Sequence, residues 1–217
     1  MRLMKRIHPA LLLLAFVLVV YFVSASWGIE NPGIEYDEIL FGNAAMGIQD
    51  HSFIFWAADV GGKRLPIMLM SYIGALKAYL FFPIARFVGF DPLSIRLPGI
   101  LIGALSLLLY TAFARRVVGL RGALLFALLL ATDPSYLYHT RLDWGPVVLM
   151  LFVKAAGALL FLRWWESNRL RELAASGLLL GLGVFDKVNF LWFLIAAVLA
   201  LLLVYGGELL HRVSPVN

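Results

Sequence analysis

Residues 96–116 read RLPGILIGALSLLLYTAFARR. Between Arg96 and Arg115 lie 18 residues, 97–114, without a charge. As a helix that run is about 27 Å long, close to the roughly 30 Å hydrocarbon core of a bilayer. The pattern repeats on both sides of it. Residues 9–25 are uncharged and follow Arg2, Lys5 and Arg6. Gly122–Tyr138 is interrupted only by Asp133, and Trp144–Leu162 only by Lys154. Leu173–Phe185 is short and follows Arg171 and Glu172; Val188–Gly207 is uncharged. The reading is an all-α polytopic transmembrane bundle of about six spans.

Composition agrees. Of 217 residues 62% are hydrophobic, and only 18 Lys and Arg and 13 Asp and Glu are present. Soluble domains run nearer about 25% charged. Mean hydropathy is +0.90. A soluble globular enzyme, a disordered chain and a nucleic-acid-binding domain are excluded. The formal net charge of +5 fits cytoplasmic Lys and Arg better than a polyanion partner. With no cysteine, disulfides, iron–sulfur clusters and zinc–thiolate sites are excluded.

Two segments are ambiguous. Val23 and Ala25 resemble a signal-peptide cleavage site, but the spans that follow favour a retained first helix. Pro66–Val88 is apolar, yet Lys77 lies at its centre, and Pro83 and Arg86 follow. A lysine in mid-bilayer costs a few kcal/mol, so the alternative is a helix lying in the interface. Charge parity chooses the interface. With the N-terminus cytoplasmic, a non-crossing Pro66–Val88 puts Arg115, Arg116, Arg121, Arg163, Arg169, Arg171 and Arg212 inside. Most acids then fall outside, as the positive-inside bias requires. The expected layout is a single module: first span 9–25, external loop 26–92 with juxtamembrane helices, remaining spans 97–207. Both termini are cytoplasmic.

In the loop, Asn31-Pro32-Gly33 and Gly61-Gly62 are turn signals. Tyr36, Ile39, Leu40, Ala44 and Ile48 recur at helical spacing. Asp37 and Glu38 occupy the first turn of that helix, where the dipole favours carboxylates. Alone, the pair reads as a solvated helix start. Asp143 alone reads as a polar cap on the fourth span. Asp186-Lys187 alone reads as a turn with a local ion pair. Together, Asp37, Glu38, Lys63, Arg64, Arg96, His139, Arg141, Asp143 and Lys187 share one side of the bilayer. A carboxylate there can take a proton from an attacking hydroxyl, and cations can neutralise a departing phosphate. There is no glycine-rich nucleotide loop, metalloprotease motif or nucleophile elbow. Gly177, Gly181 and Gly183 read as close helix packing, and Trp164-Trp165 as an aromatic belt. Lys154 either pairs with Asp133 or snorkels.

These residues, in order, resemble the N-terminal part of membrane glycosyltransferases of the GT-C class. That class includes protein O-mannosyltransferases, aminoarabinose transferases of lipid A and bacterial family 39 enzymes. The likeness runs from about Glu30 to Leu203. It rests on Tyr36-Asp37-Glu38, then Lys63-Arg64-Leu65-Pro66-Ile67, then Arg96-Leu97-Pro98 with Arg115-Arg116 and Gly119. Asp133-Pro134 with Arg141-Leu142-Asp143, and Gly181-Leu182-Gly183 with Lys187, complete it.

The resemblance implies sugar transfer from a polyprenyl-phosphate donor on the external face of a bacterial plasma membrane. The acceptor would be a lipid, glycan or protein, and membrane lipid is a further partner. Asp37 would be the catalytic base, Glu38 its support and Asp143 the second acid. Lys63 or Arg64 would contact the donor phosphate, with Arg141 or Arg96 assisting and His139 and Lys187 nearby. A divalent cation serves some relatives. The chain is expected to lack the family's C-terminal half. That raises a second reading, a non-catalytic truncated subunit binding the lipid-linked sugar or a partner protein. A small transporter is a third, which mid-bilayer acids would favour, but only Asp133 and Lys154 come close.

Overall fold

A computed structural model describes residues 9–47, 54–142 and 144–213. The chain runs α1 (Pro9–Ser26), α2 (Tyr36–Met46), β1 (Trp56–Val60), β2 (Lys63–Met70), β3 (Ile73–Gly74) and α3 (Leu76–Phe87). It continues α4 (Pro92–Thr132), α5 (Pro134–Arg141), α6 (Val147–Ser167), α7 (Leu170–Asp186) and α8 (Phe190–Val213). The fold is largely helical. Four helices are long and apolar enough to cross a membrane: α1, α4, α6 and the stretch Phe190–Glu208 of α8.

The difference between four and six lies in α4 and α7. Helix α4 is 41 residues long but breaks at Gly119, where φ is 75° and ψ 178°. The rings of Tyr110 and Phe126 are 6.5 Å apart, whereas 16 residues of straight helix would separate them by about 24 Å. The helix therefore folds back on itself as a hairpin of two limbs. Helix α7 has 17 residues, short for a span by itself.

Gly119 occupies a backbone region that is essentially restricted to glycine, at a cost of about 1–3 kcal/mol for other residues. Gly119→Ala is expected to destabilise the chain by that amount, read as a lowered unfolding midpoint in detergent. An unchanged midpoint would show that the hairpin does not depend on this torsion.

Small residues let the limbs and α1 approach. Ala123, Ala127 and Ala131, four residues apart, are fully buried. Ala127 and Ala131 meet Val17, Tyr21 and Ala25 of α1 and Ile100, Ala104 and Leu107 of the first limb in one core. The Tyr21 hydroxyl donates to the Ile100 carbonyl (3.0 Å) and the Tyr136 hydroxyl to that of Gly103 (2.7 Å). Close packing of this kind replaces the hydrophobic effect between helices inside lipid. Of the three glycines expected to pack closely in α7, only Gly183 meets a neighbour, the Phe190 ring; Gly177 and Gly181 face open space. Trp164 is buried against Phe161 and Trp165 rather than lying in an exposed belt.

The segment 26–92 holds more than helices. A three-stranded antiparallel sheet, β1-β2-β3, lies between α2 and α3. Gly61 and Gly62 both have positive φ (58° and 75°) and join Val60 to its partner Lys63, as a two-residue hairpin turn demands. Pro66–Val88 is therefore not one interfacial helix: its first part is β2 and β3, and only α3 is helical. Pro66 is tolerated in the central strand beside a register shift, where Trp56 pairs with Met68 and Ala57 with Pro66. Leu40, Phe41, Leu69, Ile73 and Ala78 form a second core beneath α2. Gly74 seats this unit on the bundle: an added Cβ there would lie 2.2 Å from the Phe185 carbonyl oxygen. Val188 N donates to Tyr72 O (3.0 Å) at the same junction.

Polar groups gather at the two ends of the bundle. At one end are Glu38 and Arg96; at the other are Arg116 paired with Glu166, and Arg163 with Glu172 (3.2 Å). Arg96 and Arg115 stand about 28 Å apart along the first limb of α4, roughly one bilayer core. Lys154 lies 4.8 Å from the centroid of the Phe193 ring. Asp133, its suggested partner, caps α5 by accepting from Tyr136 N (2.7 Å).

Candidate active site

Helix α2 begins after Asn31-Pro32-Gly33. The Glu38 carboxylate reaches back to accept from Glu35 N at 2.9 Å, which satisfies a donor that the first turn leaves open. The same carboxylate is 1% exposed and takes Nε and Nη2 of Arg96, both at 2.9 Å. Arg96 is equally buried. Its other donors go to the carbonyls of Ile29, Pro32 (2.8 Å) and Gly33 (2.8 Å). All five N–H groups of the guanidinium are thus used within the protein. Arg96 fastens the 29–38 segment to the start of α4.

Asp37, one residue before Glu38, is different. Its carboxylate is half-buried and has no hydrogen bond or ion pair among the described residues. Two neighbours in sequence therefore divide the work: one is committed to structure and the other is available.

Helix α5 ends on the same side. Arg141 donates from Nη1 to the carbonyl of Trp27 (2.6 Å), two residues before the first carbonyl that Arg96 holds. Arg141 Nε and His139 Nδ1 are buried without an acceptor or donor among the described residues. Asp143, the second expected acid, lies outside the described residues. Lys187 reaches the same loop from α7: an added Cβ at Gly145 would lie 2.9 Å from its Nζ. Lys187 also bridges to Ile73 of β3.

Lys63 and Arg64 are not part of this group. They line a cavity of about 580 Å³ with Ala44, Ala45, Ala78 and Tyr79, at the far end of α2. Eight residues of helix separate Ala45 from Asp37, about 12 Å. Arg64 stands opposite Asp59 across the hairpin. Burial holds the Tyr79 phenol above its ordinary value, and its hydroxyl donates to Pro66 O (2.7 Å). The residues that the sequence assigns to one side of the bilayer are therefore not gathered at one point.

One charged residue near the site escaped the sequence reading. Lys77 is fully buried, with Nζ 4.3 Å from the Phe41 centroid and 5.2 Å from that of Phe81. Phe41 is one turn after Asp37 on α2. The signal was the lone lysine inside an apolar run, which sequence reasoning treated only as an obstacle to spanning. Asp186, also fully buried, closes α7 beside Lys187.

A family model described as dolichyl-phosphate-mannose-protein mannosyltransferase matches residues 66–215. The chain belongs to this family. The match takes in 150 of its 217 residues. The protein is therefore a multi-pass membrane glycosyltransferase of the GT-C type, a class that uses lipid-linked sugars. No curated protein and no solved structure matches the chain. Within the family match lie Arg96, His139, Arg141 and Lys187; Asp37, Glu38, Lys63 and Arg64 precede it. Among the described residues no three His, Asp or Glu side chains gather as a metal-holding group.

Proposed function

We infer that the protein moves a sugar from a polyprenyl-phosphate donor to a hydroxyl acceptor on the external face, with Asp37 as general base. The observation that carries this reading is the contrast within the first turn of α2. Glu38 is sealed against Arg96, while Asp37 presents a carboxylate with no partner among the described residues. A base must be within reach of the proton that it removes, and a carboxylate already spent on a guanidinium is a poor one. The family's description, which names a dolichyl-phosphate sugar, supports a donor of this class. Its named sugar, mannose, and its named acceptor, protein, are the first to try.

The departing phosphate needs a cation. Arg141 is better placed than Lys63, because Arg141 and Arg96 hold one continuous segment that leads to Asp37. His139 and Lys187 add donors from α5 and α7. Positioned cations of this kind stabilise charge that develops as the sugar–phosphate bond breaks. Lys63 and Arg64 line the outer cavity and suit a second anionic group, on the acceptor or the donor tail. Arg96 and Glu38 act by holding the α2 start in place. Asp143 is the proposed second acid on the loop between α5 and α6, and a divalent cation held there is part of the same proposal.

Membranes that carry the full chain and are supplied with a polyprenyl-phosphate sugar are expected to transfer it, and those carrying Asp37→Asn are not. Equal transfer by both would remove Asp37 from the base role. The face is tested separately. Cysteine placed at Gly62 should react with an impermeant reagent added outside intact cells, and cysteine at Gly119 should not. The reverse labelling would put the site in the cytoplasm.

A further inference from the structure

At the end of the bundle opposite Asp37, α1 parts from the α4 hairpin. Val17, Tyr21 and Ala25 are buried against the hairpin, but the next inward positions toward the N-terminus are not. A cavity of about 610 Å³ opens there, walled by Ala10, Leu14, Leu108, Ala112, Leu120 and Leu124. Arg115 and Arg116 stand at its mouth. Both are exposed. Arg116 pairs with Glu166 of α6, and Arg115 has no ion pair or hydrogen bond among the described residues.

An apolar gap of this size inside a bilayer is not left empty, because its walls would lose their dispersion contacts. Water, which needs two to four polar partners, finds them only toward Thr111, Arg115 and Arg116 and not along the alanine and leucine walls. Hydrocarbon is the available filler. The two guanidiniums fix which end of a lipid lies where. A phosphate accepts paired hydrogen bonds from arginine, and basic pockets between transmembrane helices on the cytoplasmic side favour anionic headgroups. We propose that this cavity is a binding site for one anionic phospholipid, its acyl chain between α1 and the α4 hairpin and its phosphate on Arg115 and Arg116. The site is about 28 Å from Arg96 along α4, so it is separate from the sugar-transfer centre and does not depend on the role of Asp37. Its occupant would wedge α1 against the hairpin and so brace the helix that leads into the 29–38 segment.

The test purifies the full chain in detergent, exposes it to an equimolar mixture of phosphatidylglycerol and phosphatidylcholine, and counts retained lipid by native mass spectrometry. The wild-type chain is expected to retain one phosphatidylglycerol in preference to phosphatidylcholine. Each neutralised arginine should weaken binding about fivefold, so R115Q/R116Q should lose most of the preference. Ala112→Phe fills the cavity while leaving both arginines, and should release the lipid too. Arg171→Gln removes a charge from the same end of the bundle but not from the mouth, and should change nothing. Equal retention of the two lipids by the wild type would overturn the proposal. So would unchanged retention in R115Q/R116Q or Ala112→Phe, or a loss in Arg171→Gln as large as theirs.

Discussion

Asp37→Asn is expected to lower sugar transfer by about 100- to 10,000-fold, the range that a positioned general base contributes. The substitution keeps size and shape and removes only the capacity to take a proton. Asp37 makes no bond among the described residues, so its loss should leave the unfolding midpoint nearly unchanged. It should also leave donor binding intact, because the proposed phosphate contacts are Arg141, His139 and Lys187. The diagnostic pattern is therefore a fall in kcat without a matching rise in KM. A fall in kcat together with a rise in KM and a lowered midpoint would mean that Asp37 supports the fold and that the base lies elsewhere.

The second large effect concerns stability. Arg96→Ala should destabilise the chain by about 3–5 kcal/mol, the usual result of stripping one partner from a buried ion pair. It leaves the Glu38 carboxylate buried at 1% exposure and orphans the carbonyls of Ile29, Pro32 and Gly33. Arg96→Lys should rescue only part of this loss, since an ammonium has three donors where the guanidinium uses five. Glu38→Gln should cost less than Arg96→Ala, because the amide oxygen still accepts from Arg96. Thermal unfolding in one detergent ranks the three variants. If Arg96→Ala unfolds like the wild type, the pair is no clamp, and the division of labour between Asp37 and Glu38 fails with it.

Much of the bundle was legible because bilayers impose a length. The 18 uncharged residues after Arg96 had to be a helix, and Arg115 marked its end about one hydrocarbon thickness away. Gly119 was visible at the turn of the hairpin, although its torsion was not. The acidic pair stood out because charges are so few. The sheet was not legible, for two physical reasons. Pro66 inside Lys63–Met70 argues against a central strand, and only the register shift beside it makes the strand possible. The burial of that strand also does not alternate, so the period-2 signal is lost. Continuous apolar sequence then reads as helix. The Glu38–Arg96 pair spans 58 residues, and no local spacing encodes it. The sequence therefore offers Arg96 as a phosphate ligand, whereas its donors are consumed by the fold. In the same way Lys63 shares a face with Asp37 but stands at the other end of α2.

The central question is whether this chain, as purified, transfers a sugar. The direct measurement is reconstitution in liposomes with a radiolabelled polyprenyl-phosphate mannose and a peptide acceptor, followed by separation of labelled peptide from labelled lipid. Label is expected on the peptide with the wild-type chain, at a rate at least about 100-fold above that with Asp37→Asn. Donor that binds but is never consumed, with wild type and Asp37→Asn indistinguishable, would contradict this and leave a binding subunit in place of an enzyme.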